Sequence, residues 1–205
     1  ITVLDQPMHW RYDALSWFFA MITIGAGFFS AWYAAGVWQD AYAKGGQSPW
    51  LFHVALAANV FAMVVLLGSG DFLSLFLGWE LVSWASFLLM ALGGPASGRA
   101  ALHYLTYAFS GAMAILGTMA LLYTQAGSLE YAQVAAAIPT LSNAQVWVLL
   151  ALLGGGFAVK MGLLPFHLWQ AAAYAETPGP GARCGAGDRH WTSCAAQRAR
   201  SSASW

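Results

Sequence analysis

Five runs of apolar residues, each long enough to cross a lipid bilayer, constrain this chain more than any other feature. They cover 14–36 (ALSWFFAMITIGAGFFSAWYAAG), 50–67 (WLFHVALAANVFAMVVLL), 71–92 (DFLSLFLGWELVSWASFLLMAL), 100–124 and about 144–175. A membrane helix needs ~20 residues to span a hydrocarbon core ~30 Å thick, and somewhat shorter runs are tolerated. The expected fold class is therefore all-α: a polytopic transmembrane bundle of about five membrane helices, the last one broken near Pro165. Composition agrees. Of the 205 residues, 60% are apolar and 8% charged, mean hydropathy is +0.59, and there are eleven tryptophans. A soluble domain carries about a quarter charged residues. Net charge is zero, so nothing points to nucleic acid as a partner.

The connections carry turn chemistry. KGGQSP at 44–49, GSG at 68–70 and GGPASG at 93–98 are rich in glycine, serine and proline. The longer, mildly amphipathic stretch 125–143 is expected to hold a short interfacial helix. Aromatic residues gather near segment ends: Trp10, Tyr12 and Trp17, then Trp32, Tyr33 and Trp38, then Trp50 and Trp147. That is the belt found at membrane–water interfaces. Lys44 and Arg99 fall on one side and Arg11 on the other, so the positive-inside rule places the 44 and 99 loops in the cytoplasm.

The two ends read differently from the middle. Residues 1–13 open on Ile1, with no signal-peptide layout, and are expected to be the lead-in of a fragment. Residues 14–180 form the transmembrane region. The tail 181–205 (GARCGAGDRHWTSCAAQRARSSASW) holds four of the eight basic residues, both cysteines, and no Leu, Ile, Val, Phe or Met. It cannot build a core and is expected to be disordered or out of frame. Cys184 and Cys194 match no clear metal or disulfide motif.

Away from loops, ends and tail, two charged side chains sit well inside apolar segments: Glu80 and Lys160. At a rise of ~1.5 Å per residue, Glu80 lies about 13 Å into its span, close to the midplane. A charge there costs from ~3 to more than 10 kcal/mol, depending on how it is measured. One explanation is a buried ion pair that fixes helix packing, although such pairs are weak sources of stability. The other is a proton relay. Burial loosens an ammonium's hold on its proton and a nearby carboxylate tightens it, so changing the carboxylate would load or unload the lysine. Pro165 lacks an amide hydrogen and should break the helix just past Lys160. Gly156 and Gly162, with Gly154 and Gly155, lower helix propensity around it. Interrupted helices at membrane depth occur where backbone lines a cavity, and transporters place ion sites there. His103 and His167 join the candidate set, because histidine titrates near physiological pH. His53 and His103 are alternatively candidates for haem ligation between two helices, without a supporting spacing. His9 and His53 otherwise read as interfacial, and Asp71 and Glu176 as segment-end charges.

These residues resemble a known family. DFLSLFLGWELVSWASFLLM, with Trp79–Glu80, is similar to the fifth transmembrane helix of the antiporter-like subunits of respiratory complex I. AVKMGLLPFHLWQAAAYAETPGP is similar to their broken seventh helix, RYDALSWFF to the start of the third, and AALHYLTYAFSGAMAILGTMALLY to the sixth. The match covers roughly 10–180. The same fold serves quinone-reducing complex I, membrane-bound hydrogenases and multisubunit cation/proton antiporters. The resemblance implies half of an inverted-repeat transporter fold in the inner membrane of a bacterium or archaeon. It implies a proton-translocating, non-redox subunit of an oxidoreductase complex, NADH:quinone or hydrogenase-like, with Glu80 and Lys160 as the relay and His103 at a basic relay position. Partners would be other membrane subunits, and no cofactor is expected on this chain. Alternatives are a subunit of a sodium/proton antiporter and a non-transporting scaffold. After the TPGP equivalent the family continues into an eighth helix, whereas here the text turns to GARCGAGDRH; a shifted reading frame or an assembly error is the expectation.

Overall fold

The first membrane helix opens on a capping aspartate. In the computed structural model, which describes residues 2–3, 6–36, 39, 42–43, 46, 48–93 and 95–176, helix α1 spans Ala14–Ala34. Asp13 precedes it in extended backbone, and its carboxylate accepts from the Ser16 N–H at 2.7 Å. An N-cap of this kind satisfies an amide that the helix itself leaves unpaired. That amide bond holds the Asp13 carboxyl below its ordinary range. Helix α2 spans Pro49–Leu67 with proline in its first turn. Helix α3 spans Phe72–Ala91 behind a capping box of Asp71 and Ser74. Helix α4 runs from Pro95 to Ala126, α5 is the short Tyr131–Ala137, followed by a 3-10 turn at Ile138–Thr140, and α6 spans Asn143–Met161 behind a Ser142/Gln145 capping box. Helix α7 resumes at Leu168–Glu176. Before α1 lies a two-residue antiparallel pair, β1 Thr2–Val3 with β2 Gln6–Pro7.

The chain is thus an all-α membrane protein in which α1, α2, α3, α4 and α6 are long and apolar enough to cross a bilayer. Helix α4 departs from expectation at its start. GGPASG reads as a turn, but α4 begins inside it at Pro95, because proline is pre-set for the first helical position where its missing N–H is not needed. The result is a 32-residue helix, about 48 Å long and well beyond a ~30 Å core. The connection after it folds as expected into the short helix α5. Lys44, residues 177–180 and the 181–205 tail, Cys184 and Cys194 included, lie outside the described residues.

Packing runs in sequence order from α1 to α4, with α1 on α2, α2 on α3 and α3 on α4. Helix α4 then also carries α5, α6 and α7. It is the post around which the site is built. Small residues make this possible: Ala101, Ala108 and Ala112 are buried along it, and Gly111 meets Gly156 of α6. A methyl group added to Gly156 would lie 2.8 Å from Ile115 Cδ1 and 3.1 Å from the Gly111 carbonyl oxygen. Small residues at such crossings let membrane helices approach backbone to backbone. The lowered helix propensity expected around Gly156 does not interrupt the helix there. Helix α6 runs without interruption through Gly154–Gly156, and the glycine at 156 is there because α4 leaves no room for a side chain. On the outside, α1 presents Leu15, Trp17, Phe18, Phe28, Phe29 and Trp32, an apolar surface suited to hydrocarbon.

Candidate functional site

The break in the last span is made by a glycine. Gly162 adopts φ 64° and ψ 37°, the left-handed region, directly after α6. The Leu163 N–H donates to the Ala158 carbonyl at 2.9 Å and the Gly162 N–H to the Val159 carbonyl at 3.2 Å. These are the two bonds of a Schellman motif, and glycine is the residue that reaches the required conformation without strain. The helix therefore stops three residues before Pro165, which lies in the turn 163–167 after a cis Leu164–Pro165 bond. Helix α7 then turns back to cover the exposed helix end. The Trp169 indole N–H donates to the Val159 carbonyl at 3.1 Å, and the Gln170 amide donates to the Met161 carbonyl at 3.1 Å. The Met161 carbonyl is thus met by a side chain, and the Val159 carbonyl, already accepting from Gly162, gains a second donor, as a membrane interior favours.

Lys160 occupies the last turn of α6, where the negative end of the helix dipole favours a cation. Its side chain reaches across to α3 and α4. Nζ donates to Ser83 Oγ at 2.7 Å and to Tyr104 Oη at 3.4 Å. It also lies 5.4 Å from the Trp79 ring centroid and 5.9 Å from that of Tyr104, within the range in which an aromatic face attracts a cation. Ser83 is 2% exposed, and its hydroxyl donates to the Trp79 carbonyl at 2.9 Å. Its proton is therefore committed and its lone pair is turned to the ammonium. Tyr104 is held in turn by Trp169, ring centroids 5.0 Å apart, and Trp79 by Phe157 at 5.2 Å.

Glu80 lies three residues before Ser83, on the same face of α3. Its carboxylate and the Lys160 ammonium do not form an ion pair within 4.0 Å. Among the described residues the pairs at that range are those of His9 with Asp71 and Glu130. Glu80 Oε1 and the Trp79 indole nitrogen are both buried and have no hydrogen-bond partner among the described residues. The Lys160 ammonium thus rests on two neutral hydroxyls, and the nearest turn of α3 carries a buried carboxylate oxygen that has no hydrogen-bond partner among the described residues.

The other candidates lie apart. The exposed His103 precedes Tyr104 on α4 and sets its ring against Tyr107, centroids 6.3 Å apart. His167 is exposed in the turn after the break, where its carbonyl accepts from the Gln170 N–H at 3.0 Å. His53 lines an apolar groove of about 480 Å³ between α1 and α2. No group of three or more His, Cys, Asp or Glu among the described residues is arranged to hold a metal ion. Asp71, expected as a cheap segment-end charge, is in fact 1% exposed. Its carboxylate accepts from the Ser74 and His9 backbone N–H groups. Sequence reasoning did not single out Ser83, Tyr104 or Trp169. Ser83 carried a usable signal as a hydroxyl one turn from Glu80, whereas nothing local distinguished Tyr104 from His103.

Residues 69–183 match the profile of a family described as "NADH:quinone oxidoreductase/Mrp antiporter, TM". A protein of Desulforudis audaxviator named NADH-quinone oxidoreductase subunit N is 35% identical over 151 residues, 72% of this chain and 30% of that one. A protein of the same name from Geobacter metallireducens is 35% identical over 147 residues, 69% of this chain and 31% of that one. The chain therefore spans under a third of the length of these relatives. Among solved structures, a chain of the membrane-bound sulfane sulfur reductase, an archaeal respiratory membrane complex, is similar with a TM-score of 0.59 and 25% identity, over 64% of this chain and 27% of that chain.

Proposed function

This chain belongs to the NADH:quinone oxidoreductase/Mrp antiporter membrane family, and from that membership we propose that it forms part of a proton-translocating subunit of a redox-driven respiratory complex. The observation that carries the reading is Lys160. An ammonium group placed between three membrane helices, beside a carboxylate and at a helix break, has a structural cost that packing alone does not require. In this reading Lys160 takes up a proton and passes it on, Glu80 controls how firmly the proton is held, and the turn at Gly162–His167 is the point where water meets the path. His103 and His167 are the next proton carriers outward, His103 from the first third of α4 and His167 from the turn itself. Electron transfer belongs to other subunits, and the relatives' names favour a quinone-reducing assembly over a sodium-coupled one.

The test is made in the full-length parent, in its assembled complex. Lys160→Ala or Glu80→Ala is expected to abolish proton pumping in membrane vesicles while complex abundance stays near the parental level. Wild-type pumping in the lysine variant would end the relay. Removing sodium is expected to leave pumping unchanged; loss of transport in sodium-free buffer would move the chain to the antiporter branch.

A further inference from the structure

We propose that Ser83 and Tyr104 form a neutral dock that holds the Lys160 ammonium off Glu80, and that Trp169, beyond the helix break, positions Tyr104 within it. The inference deepens the relay reading and rests on it.

Three features of the geometry support a dock. First, the ammonium is where the dock is: Nζ lies 2.7 Å from Ser83 Oγ and 3.4 Å from Tyr104 Oη, and the Glu80 Oε1 is left buried without a partner. A charge choosing between a carboxylate and two hydroxyls in a dry place would ordinarily choose the carboxylate. Second, the hydroxyl of Ser83 is oriented by its own donation to the Trp79 carbonyl, so its acceptor side is prepared for a cation. The Trp79 and Tyr104 rings add two polarisable faces. Third, Tyr104 is itself supported from the far side of the break. Trp169 packs against it with ring centroids 5.0 Å apart and planes tilted by 59°, while its indole N–H donates to the carbonyl of Val159, the residue next to Lys160. One tryptophan thus touches both the dock and the backbone that carries the lysine.

The proton stays on Lys160 while it is docked, because neither hydroxyl is a base of sufficient strength to remove it. Moving the ammonium from dock to Glu80 changes only its partner. Helix α7 lies on α4, so a displacement of α7 shifts Trp169, loosens Tyr104 and weakens the dock relative to Glu80. Ser83, Tyr104 and Trp169 are accordingly positioning residues, and Lys160 remains the group that carries the proton.

The experiment uses the full-length parent in its assembled complex and reads two quantities: the pumping rate, and the infrared carboxylate stretch of Glu80, identified by its loss in Glu80→Gln. Ser83→Ala is expected to lower pumping about tenfold, the scale of a lost hydrogen bond to a charged group, and to shift the Glu80 band as the ammonium moves onto it. Tyr104→Phe keeps the ring and is expected to lower pumping about threefold with a smaller band shift, in line with its longer bond. Ser83→Thr, which restores an acceptor, is expected to recover both readouts. A merely structural role would reduce the amount of complex without moving the band. Unchanged pumping or an unmoved band in Ser83→Ala, with Lys160→Ala inactive, overturns the dock and leaves the relay standing. Wild-type pumping in Lys160→Ala overturns both. If Ser83→Ala fails to assemble, Tyr104→Phe decides by the same two readouts.

Discussion

Helix α3 carries two carboxylates with opposite surroundings. Asp71, at its N-cap, is 1% exposed, and both of its carboxylate oxygens accept from backbone N–H groups. The Ser74 and His9 amides donate to it, and the Ser74 hydroxyl closes the capping box. The positive end of the helix dipole lies directly beneath it. Glu80, nine residues on, is less buried, yet its Oε1 has no hydrogen-bond partner among the described residues. Burial alone would have ranked Asp71 as the more remarkable charge. The comparison teaches that unspent hydrogen-bonding capacity, rather than depth, sets Glu80 apart from a carboxylate that holds structure, and the proposed relay rests on that difference.

The largest effect that would sharpen this contrast is functional. Glu80→Gln in the parent complex should abolish pumping and leave assembly intact; a fully active Glu80→Gln would erase the distinction. Asp71→Ala should do the reverse. Losing a cap and leaving buried amides unmet costs about 3 kcal/mol, seen as a lower melting temperature and less assembled complex, with pumping per assembled complex unchanged. A specific pumping defect there would put Asp71 on the proton path. Gly162→Ala comes next. Left-handed backbone costs a residue with a side chain about 1–2 kcal/mol, and the added methyl would meet the Gln170 side chain. The expected readouts are a modest fall in stability and a larger fall in pumping, because the lysine end of the pair is carried on this turn. Equal falls in both would reduce the break to a packing feature.

The smallest effect concerns Asp13, a third carboxylate with the same capping duty as Asp71 but in water. Its backbone hydrogen bond to Ser16 holds its folded pKa below the ordinary 3.8. A depressed carboxyl contributes stability that is present above its unfolded pKa and is lost as pH falls through the folded one. The melting-temperature gap between parent and Asp13→Asn should therefore be open at pH 6 and narrow as the pH drops below about 3.8. A gap that does not change with pH would mean that the cap acts through shape rather than charge.

Much of this was legible in the chain, and the illegible part has one cause. The spans were visible because lipid requires uninterrupted apolar runs, and Glu80 and Lys160 because charge stands out against them. The break was placed near Pro165 with Gly156 and Gly162 named beside it, and the left-handed turn at Gly162 ends the helix three residues before the proline. Proline forbids helix over a region, whereas only the bond pattern after Lys160 shows which residue stops it. Gly156 was misread because a glycine that lowers helix propensity and one that admits a neighbouring helix look identical in sequence; the Ile115 contact tells them apart. Tyr104 was missed in favour of His103, a neighbour about 100° away around the helix. The histidine had the chemistry that catches the eye, while the tyrosine had the direction.

The glycine contact between α4 and α6 also has a mechanical side. Where Gly111 and Gly156 press backbone on backbone, neither helix can slide without lifting off the other, so the two behave as one stiff plank. Lys160 is fixed near the end of that plank, two residues before the Gly162 pivot. On the dock proposal, flexure would enter at the joint of a few residues that follows, and a small swing of α7 would reach the lysine's surroundings instead of being absorbed along the span.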